Sequence, residues 1–138
     1  LSSLLLVLDD DDDDCVMLTH LIKTLFGEQL SLVCTTNQTA FLAHLAPGEP
    51  AIGLILLDYH LPPTTATELI PRIRAQAGRE QIPLVVWSAQ ASVQEQQACL
   101  AQGASEYLSK VAGLEKLTQQ LYQLVLRYMP ALSPINEA

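Results

Sequence analysis

Six consecutive aspartates, Asp9 to Asp14, follow the apolar run Leu4–Leu8, and another, Asp58, follows the apolar run Ile52–Leu57. Ser88 ends the run Pro83–Trp87, and Lys110 stands two residues after Glu106–Leu108. Carboxylates that crowd together repel one another and take a hard divalent cation such as Mg2+ in a shell of oxygens. An anion can join such a site, and a lysine ammonium and a serine hydroxyl suit its oxygens. A central carboxylate can itself act as nucleophile and form an acyl phosphate. Phosphoryl transfer to an aspartate therefore needs all of these residues at one place.

The surrounding elements predict such a meeting. Met17, Leu18, Leu21, Ile22 and Leu25 fall on one helical face, and Gly27 fits that helix's C-terminus. Leu30–Cys34 reads as a second strand. Thr36 or Asn37 can cap a helix that turns Ala40, Phe41, His44 and Leu45 inward, and Pro47–Pro50 reads as a loop. Ile52–Leu57 lacks polar alternation, as strands do when both faces of a parallel sheet are covered. Leu61–Thr65 reads as a loop. Glu68–Ala77 reads as a helix with Pro71 in its first turn. Val93–Gln102 and Leu114–Met129 read as the last two helices, the former ended by Gly103.

Five strands alternating with five helices predict an α/β fold: a single doubly wound five-stranded parallel sheet flanked by helices, with flavodoxin-like topology. Ligands of such sheets gather at the C-terminal ends of the strands. Asp9, Asp10, Asp58, Ser88 and Lys110 all fall there. Residues 1–129 read as one domain, and residues 130–138, with two prolines, as a C-terminal tail or linker.

These residues carry a resemblance. Leu4–Asp10, Leu56–Pro62 (LLDYHLP), Val86–Ala89 and Gly103–Lys110 occur in the order found in the receiver domain of bacterial two-component response regulators. Ser88 follows Asp58 by 30 residues and Lys110 follows Ser88 by 22, spacings similar to those of receivers. The likeness covers residues 4–129. It implies that Asp58 accepts a phosphoryl group from a sensor histidine kinase or a phosphotransfer protein. It also implies Mg2+ held by Asp9, Asp10, Asp58 and the backbone carbonyl of His60. Ser88 would bind the phosphoryl group and move on activation, Lys110 would pair with its oxygens, and Tyr107 would report the state by its rotamer. The face of the fourth helix, fifth strand and fifth helix would contact a downstream protein, a fused output domain or a second copy. Such a protein is a cytoplasmic switch, not a metabolic enzyme, although slow autodephosphorylation is chemistry.

The aspartate block leaves the acidic pair to be chosen, and helix phase chooses it. Receivers turn the first helix inward at fixed offsets from the second acid. Counted from Asp10 those positions are Met17, Leu18, Leu21 and Ile22, all apolar; counted from Asp11 they include Thr19 and Lys23. Asp9 and Asp10 are thus the expected pair, with Asp11 to Asp14 as loop, cap and first-turn residues.

Four departures from the family pattern stand out. Thr65 and Ala66 stand where Asp-Gly is common, and Ala resists the positive φ that Gly permits. Gln90 occupies a position that modulates phosphoryl lifetime. Trp87 precedes Ser88. Val111 replaces a proline whose bond to the lysine is usually cis, so a trans bond here would move Lys110. Val111 and Ala66 keep a second reading open, a pseudo-receiver used as a protein-interaction module without phosphorylation.

Composition bounds the rest. The net charge is −8, but without the aspartate block 7 bases face 9 acids. The negative charge is local, and scattered bases make direct nucleic-acid binding unexpected. No apolar run is long enough for a transmembrane helix. No signal peptide is legible. Three dispersed cysteines predict reduced thiols in a cytosol, and the histidines lack zinc-ligand spacing. The absence of an initial Met favours a domain cut from a longer protein.

Overall fold

The computed structural model describes residues 3–46, 51–76, 79–90 and 92–135. The apolar runs pair in parallel. Strands β1 (Ser3–Leu8), β2 (Leu30–Thr35), β3 (Ile52–Asp58), β6 (Leu84–Ser88) and β7 (Glu106–Ser109) form one sheet in the order β2-β1-β3-β6-β7. The strand order reverses beside β1, and the first and third strands are central. Their side chains are almost wholly buried, which accounts for their lack of polar alternation.

Helices α1 (Asp12–Phe26) and α5 (Leu114–Tyr128) cover one face, where Leu5, Val7, Leu54, Leu56, Val85 and Trp87 point. On the other face Leu6, Leu8, Ile55, Leu57, Val86 and Tyr107 pack with α2 (Gln38–Ala43) and α3 (Ala66–Arg74), and Cys99 joins them from α4 (Val93–Gln102). Side-chain caps start three helices: Asp11 accepts from the Asp13 N–H, Asn37 from Ala40 and Ser92 from Glu95. Gly103 ends α4 at φ +121°, a conformation that side chains rarely adopt.

Several expectations need correction. The segment expected as a loop forms a small antiparallel ladder, β4 (His60–Leu61) with β5 (Thr64–Thr65). A cis Pro62–Pro63 peptide lies at its tip. Helix α3 starts at Ala66, earlier than expected, because the Ala66 N–H bonds the Tyr59 carbonyl and the buried Ala66 closes the turn. Pro71 therefore lies inside the helix and not in its first turn. Pro47–Pro50 and Ala77 lie outside the described residues.

The cysteines are the largest correction. Cys15 and Cys34 are joined in a disulfide with Cα atoms 5.6 Å apart, and Cys99 alone is free and buried. Parallel pairing sets Cys34 beside Val7, on the face that α1 covers, and the first turn of α1 carries Cys15 back over it. A separation of 19 residues carries no such signal until the topology is known.

The segment after α5 folds back. Met129 is buried, Gln29 in the 3-10 turn Gly27–Gln29 exchanges two hydrogen bonds with the Ser133 backbone, and the Ile135 N–H bonds the Leu25 carbonyl.

Candidate functional site

Alternation along the strands decides which side chains meet. Leu56 and Asp58 share a face, as do Val7 and Asp9, and Trp87 stands opposite Asp58 in the β3–β6 register. Asp9 and Asp58 therefore emerge together at the C-terminal end of the sheet, beneath the start of α1. Oxygens of Asp9, Asp10 and Asp58 lie within 4.8 Å of one another. Asp9 is fully buried, Asp58 is 6% exposed and Asp10 is exposed.

Lys110 reaches this cluster from the end of β7. Its Nζ lies 3.2 Å from Asp9, 3.4 Å from Asp58 and 3.0 Å from Asp14. It also stands 4.7 Å from the centre of the Trp87 ring, within cation–π range. The Lys110–Val111 bond is trans, and the ammonium still reaches both carboxylates. The Lys110 N–H bonds the Ser88 carbonyl at 2.8 Å, which fixes where the side chain departs.

Burial pushes Asp9 up to about 7, against the Asp11 N–H at 2.9 Å and the Lys110 charge. Burial also raises Asp58, again opposed by Lys110. Burial works against the Lys110 ammonium too, but the bond to Asp14 and the charges of Asp9, Asp58 and Asp14 outweigh it and raise its pKa. The pocket thus holds four carboxyl groups and one ammonium. Three crowded carboxylates, one of them wholly buried, make a hard oxygen donor set short of positive charge, and a divalent cation fits it.

Ser88 and Tyr107 lie on the other face of the sheet. The Ser88 hydroxyl is fully buried: it donates to the Gln90 carbonyl at 2.8 Å and accepts from the Gln90 N–H at 3.1 Å. Tyr107 is turned in, 8% exposed, with its hydroxyl 3.4 Å from the same Gln90 carbonyl and 3.3 Å from Glu95. Gln90 therefore links the two through its backbone. His60 opens β4, two residues past Asp58.

Two contacts of Lys110 were not anticipated from the sequence. Asp14 was expected only as a first-turn residue, yet it is a principal partner of Lys110. It stands in the first turn of α1, three residues after the N-cap Asp11, and only the phase of that helix turns it toward Lys110. The role of Trp87 as a platform for Lys110 had no signal beyond its adjacency to Ser88. The indole N–H of Trp87 is buried without a hydrogen-bond partner among the described residues.

Comparison with known proteins agrees with this geometry. A 78-residue stretch is 30% identical to the two-component response regulator ORR7 of Oryza sativa subsp. indica, covering 54% of this chain and 38% of that protein. A 76-residue stretch is 30% identical to the two-component response regulator ARR15 of Arabidopsis thaliana, covering 55% and 36%. The aligned stretch spans little more than a third of these relatives, and their plant origin extends the likeness beyond bacteria. Among solved structures, the phosphorylated cyanobacterial phytochrome response regulator RcpA superposes with a TM-score of 0.83 at 18% identity, covering 99% of this chain and all of that one. The Mn2+-bound form of response regulator Rcp1 gives 0.77 at 21% identity, covering 96% and 99%. Both share the fold. Residues 5–122 match the family described as the response regulator receiver domain. That match takes in Asp9, Asp10, Asp58, Ser88 and Lys110, and by it the chain belongs to the response regulator receiver domain family of two-component signalling.

Proposed function

We propose that this domain is a phosphorylation-controlled switch in which Asp58 is the phosphoacceptor. The observation that carries the reading is the setting of Asp58: nearly buried, grouped with Asp9 and Asp10 within 4.8 Å, and 3.4 Å from the Lys110 ammonium. A carboxylate oxygen of Asp58 attacks the phosphorus of a phosphohistidine on a sensor kinase or phosphotransfer protein. The P–N bond breaks, the P–O bond forms, and the histidine leaves with its electron pair and takes up a proton. Asp9, Asp10, Asp58 and the His60 carbonyl would hold Mg2+, which when bound supplies positive charge to the crowded carboxylates and the incoming oxygens. Lys110 takes a phosphoryl oxygen. The Ser88 hydroxyl turns from the Gln90 carbonyl to another, and Tyr107, which shares that carbonyl, responds.

The face of α4, β7 and α5 then meets a downstream protein, a fused output domain or a second copy. The reading carries a cytoplasmic location and a signalling role in place of metabolic turnover. Among the described residues no helix is long and apolar enough to cross a membrane. Acetyl phosphate with Mg2+ tests it: the wild type gains one phosphoryl group, and removal of the cation with a chelator abolishes the gain. Labelling that ignores the cation counts against the role of the acidic cluster.

A further inference from the structure

The Cys15–Cys34 disulfide closes a ring around the backbone of Asp9. On one side, Thr35, next to Cys34, accepts the Asp9 N–H at its carbonyl (3.0 Å), and its hydroxyl donates to the Val7 carbonyl (2.8 Å). On the other side, the Asp11 N–H bonds the Asp9 carboxylate at 2.9 Å, and the Asp11 carbonyl accepts the Cys15 N–H at 3.2 Å. Cys15 Sγ stands 3.9 Å from the Asp9 carbonyl oxygen, a contact and not a hydrogen bond, since a half-cystine has no S–H. Asp14, which pairs with Lys110, is the residue before Cys15. The bridge therefore pins the two segments that flank Asp9, the start of α1 and the end of β2.

Both half-cystines are only half-buried. They line a shallow, mostly apolar depression with Val16, Thr19, His20 and Lys23. The bridge thus borders an open depression through which an attacking thiol can approach it. Disulfides in a reducing compartment are usually transient and redox-sensing. We propose that Cys15–Cys34 is a reversible thiol modification site, reduced by a dithiol, that sets the affinity of the acidic cluster for its divalent cation. The inference rests on the cation site of the preceding reading.

The step balances. A dithiol attacks one sulfur of the bridge, a mixed disulfide forms, and its second thiol resolves it. One S–S bond of the protein becomes two S–H groups, and the reductant gives two electrons and two protons and closes its own S–S bond. Freed from the tether, the start of α1 and the end of β2 move independently, the crowded carboxylates relax apart, and a preorganised donor set is lost. By linkage, a bound cation must resist reduction of the bridge by the same factor that the bridge tightens cation binding.

The test uses the whole chain. Alkylation in denaturant should find one thiol, Cys99, which is buried in the fold, before dithiothreitol and three after it. Mn2+ is then titrated against the fluorescence of Trp87, the sole tryptophan, with the oxidised protein and with reduced protein freed of reductant under anaerobic conditions. Reduction should weaken Mn2+ binding about fivefold or more, the low end of ordinary coupling between sites, and reoxidation should restore it. A Cys15→Ala, Cys34→Ala double variant should bind like the reduced protein and ignore the reductant. Saturating Mn2+ should shift the dithiothreitol ratio at half-reduction by the same factor. Three free thiols that resist oxidation would overturn the proposal, as would equal Mn2+ affinity in both states. Loss of the fold on reduction would do so too, since the bridge would then be only a staple. Absence of Mn2+ binding in either state would remove the cation site itself, and this control with it.

Discussion

Lys110 stands between two claims. Asp14 holds its ammonium at 3.0 Å, while Asp9 and Asp58 hold it from the strand side. A phosphoryl group on Asp58 would have to share that ammonium with Asp14, and it would meet the Asp14 charge as a like charge. We therefore expect Asp14→Asn to raise the fraction labelled at limiting acetyl phosphate by roughly fivefold, a coupling of about 1 kcal/mol for a partly exposed pair. Asp14→Glu should stay near wild type, and equal labelling of all three proteins would show that Asp14 does not compete. The positions Asp9, Asp10, Asp58, Ser88 and Lys110 were legible because each ends an apolar run or stands just beyond one. Asp14 was not, because its role depends on the phase of α1 and on the path of a side chain from β7.

Between elements, Arg74 is the chief polar tie. From the end of α3 its guanidinium bonds the Gly103 carbonyl at the end of α4 (2.8 Å), the Arg79 carbonyl (3.1 Å) and the Ile82 carbonyl before β6. One planar fork thus satisfies three carbonyls that water would otherwise need to reach. Arg74→Ala should cost about 2 kcal/mol and lower Tm by roughly 6 °C, and Arg74→Lys should rescue little, since one ammonium cannot span all three. Thermal melts of the two variants decide it. A second tie joins β7 to α5: Arg127 and Tyr128 both bond Glu106. Burial pushes the Glu106 carboxyl up, but these hydrogen bonds outweigh it and hold it below the usual range. A depressed carboxyl stabilises above its unfolded pKa, and the contribution fades as pH falls through the folded value. Arg127 is half exposed, so Glu106→Gln should cost under about 1 kcal/mol at pH 7, and the cost should fade as pH falls through the depressed folded value. A cost that grows on acidification would contradict the assignment. At this scale the sequence was explicit about the long strands and helices. It was silent on the β4–β5 ladder, where Thr-Thr-Ala replaces the expected turn chemistry, and on the disulfide, which only the parallel register brings together.

Across the whole molecule, the sheet separates the carboxylate cluster from the Ser88–Tyr107 pair. Asp9, Asp58 and Trp87 face α1 and α5, whereas Ser88 and Tyr107 face α3 and α4. The end of β6 is the crossing point, because Trp87 and Ser88 are neighbours that point to opposite faces. Ser88→Ala should therefore still label at Asp58 but lose the phosphorylation-dependent change in hydrogen exchange over α4 and β7. A wild-type exchange response in that variant would place the crossing elsewhere. The parallel architecture was readable from alternating strand and helix patterns. The return of the C-terminal segment onto Gly27–Gln29 was not, because two prolines and short apolar stretches resemble a linker until a docking surface exists.

The central claim is that Asp58 is the residue that takes the phosphoryl group. Borohydride reduction of the acetyl-phosphate-treated protein, followed by peptide mapping, reads the acyl phosphate at the residue that carried it. The predicted result is conversion at position 58 alone, dependent on Mg2+, sensitive to hydroxylamine before reduction, and absent in Asp58→Asn. Conversion at Asp9 or Asp10, equal labelling of Asp58→Asn, or no acyl phosphate in the wild type would contradict it.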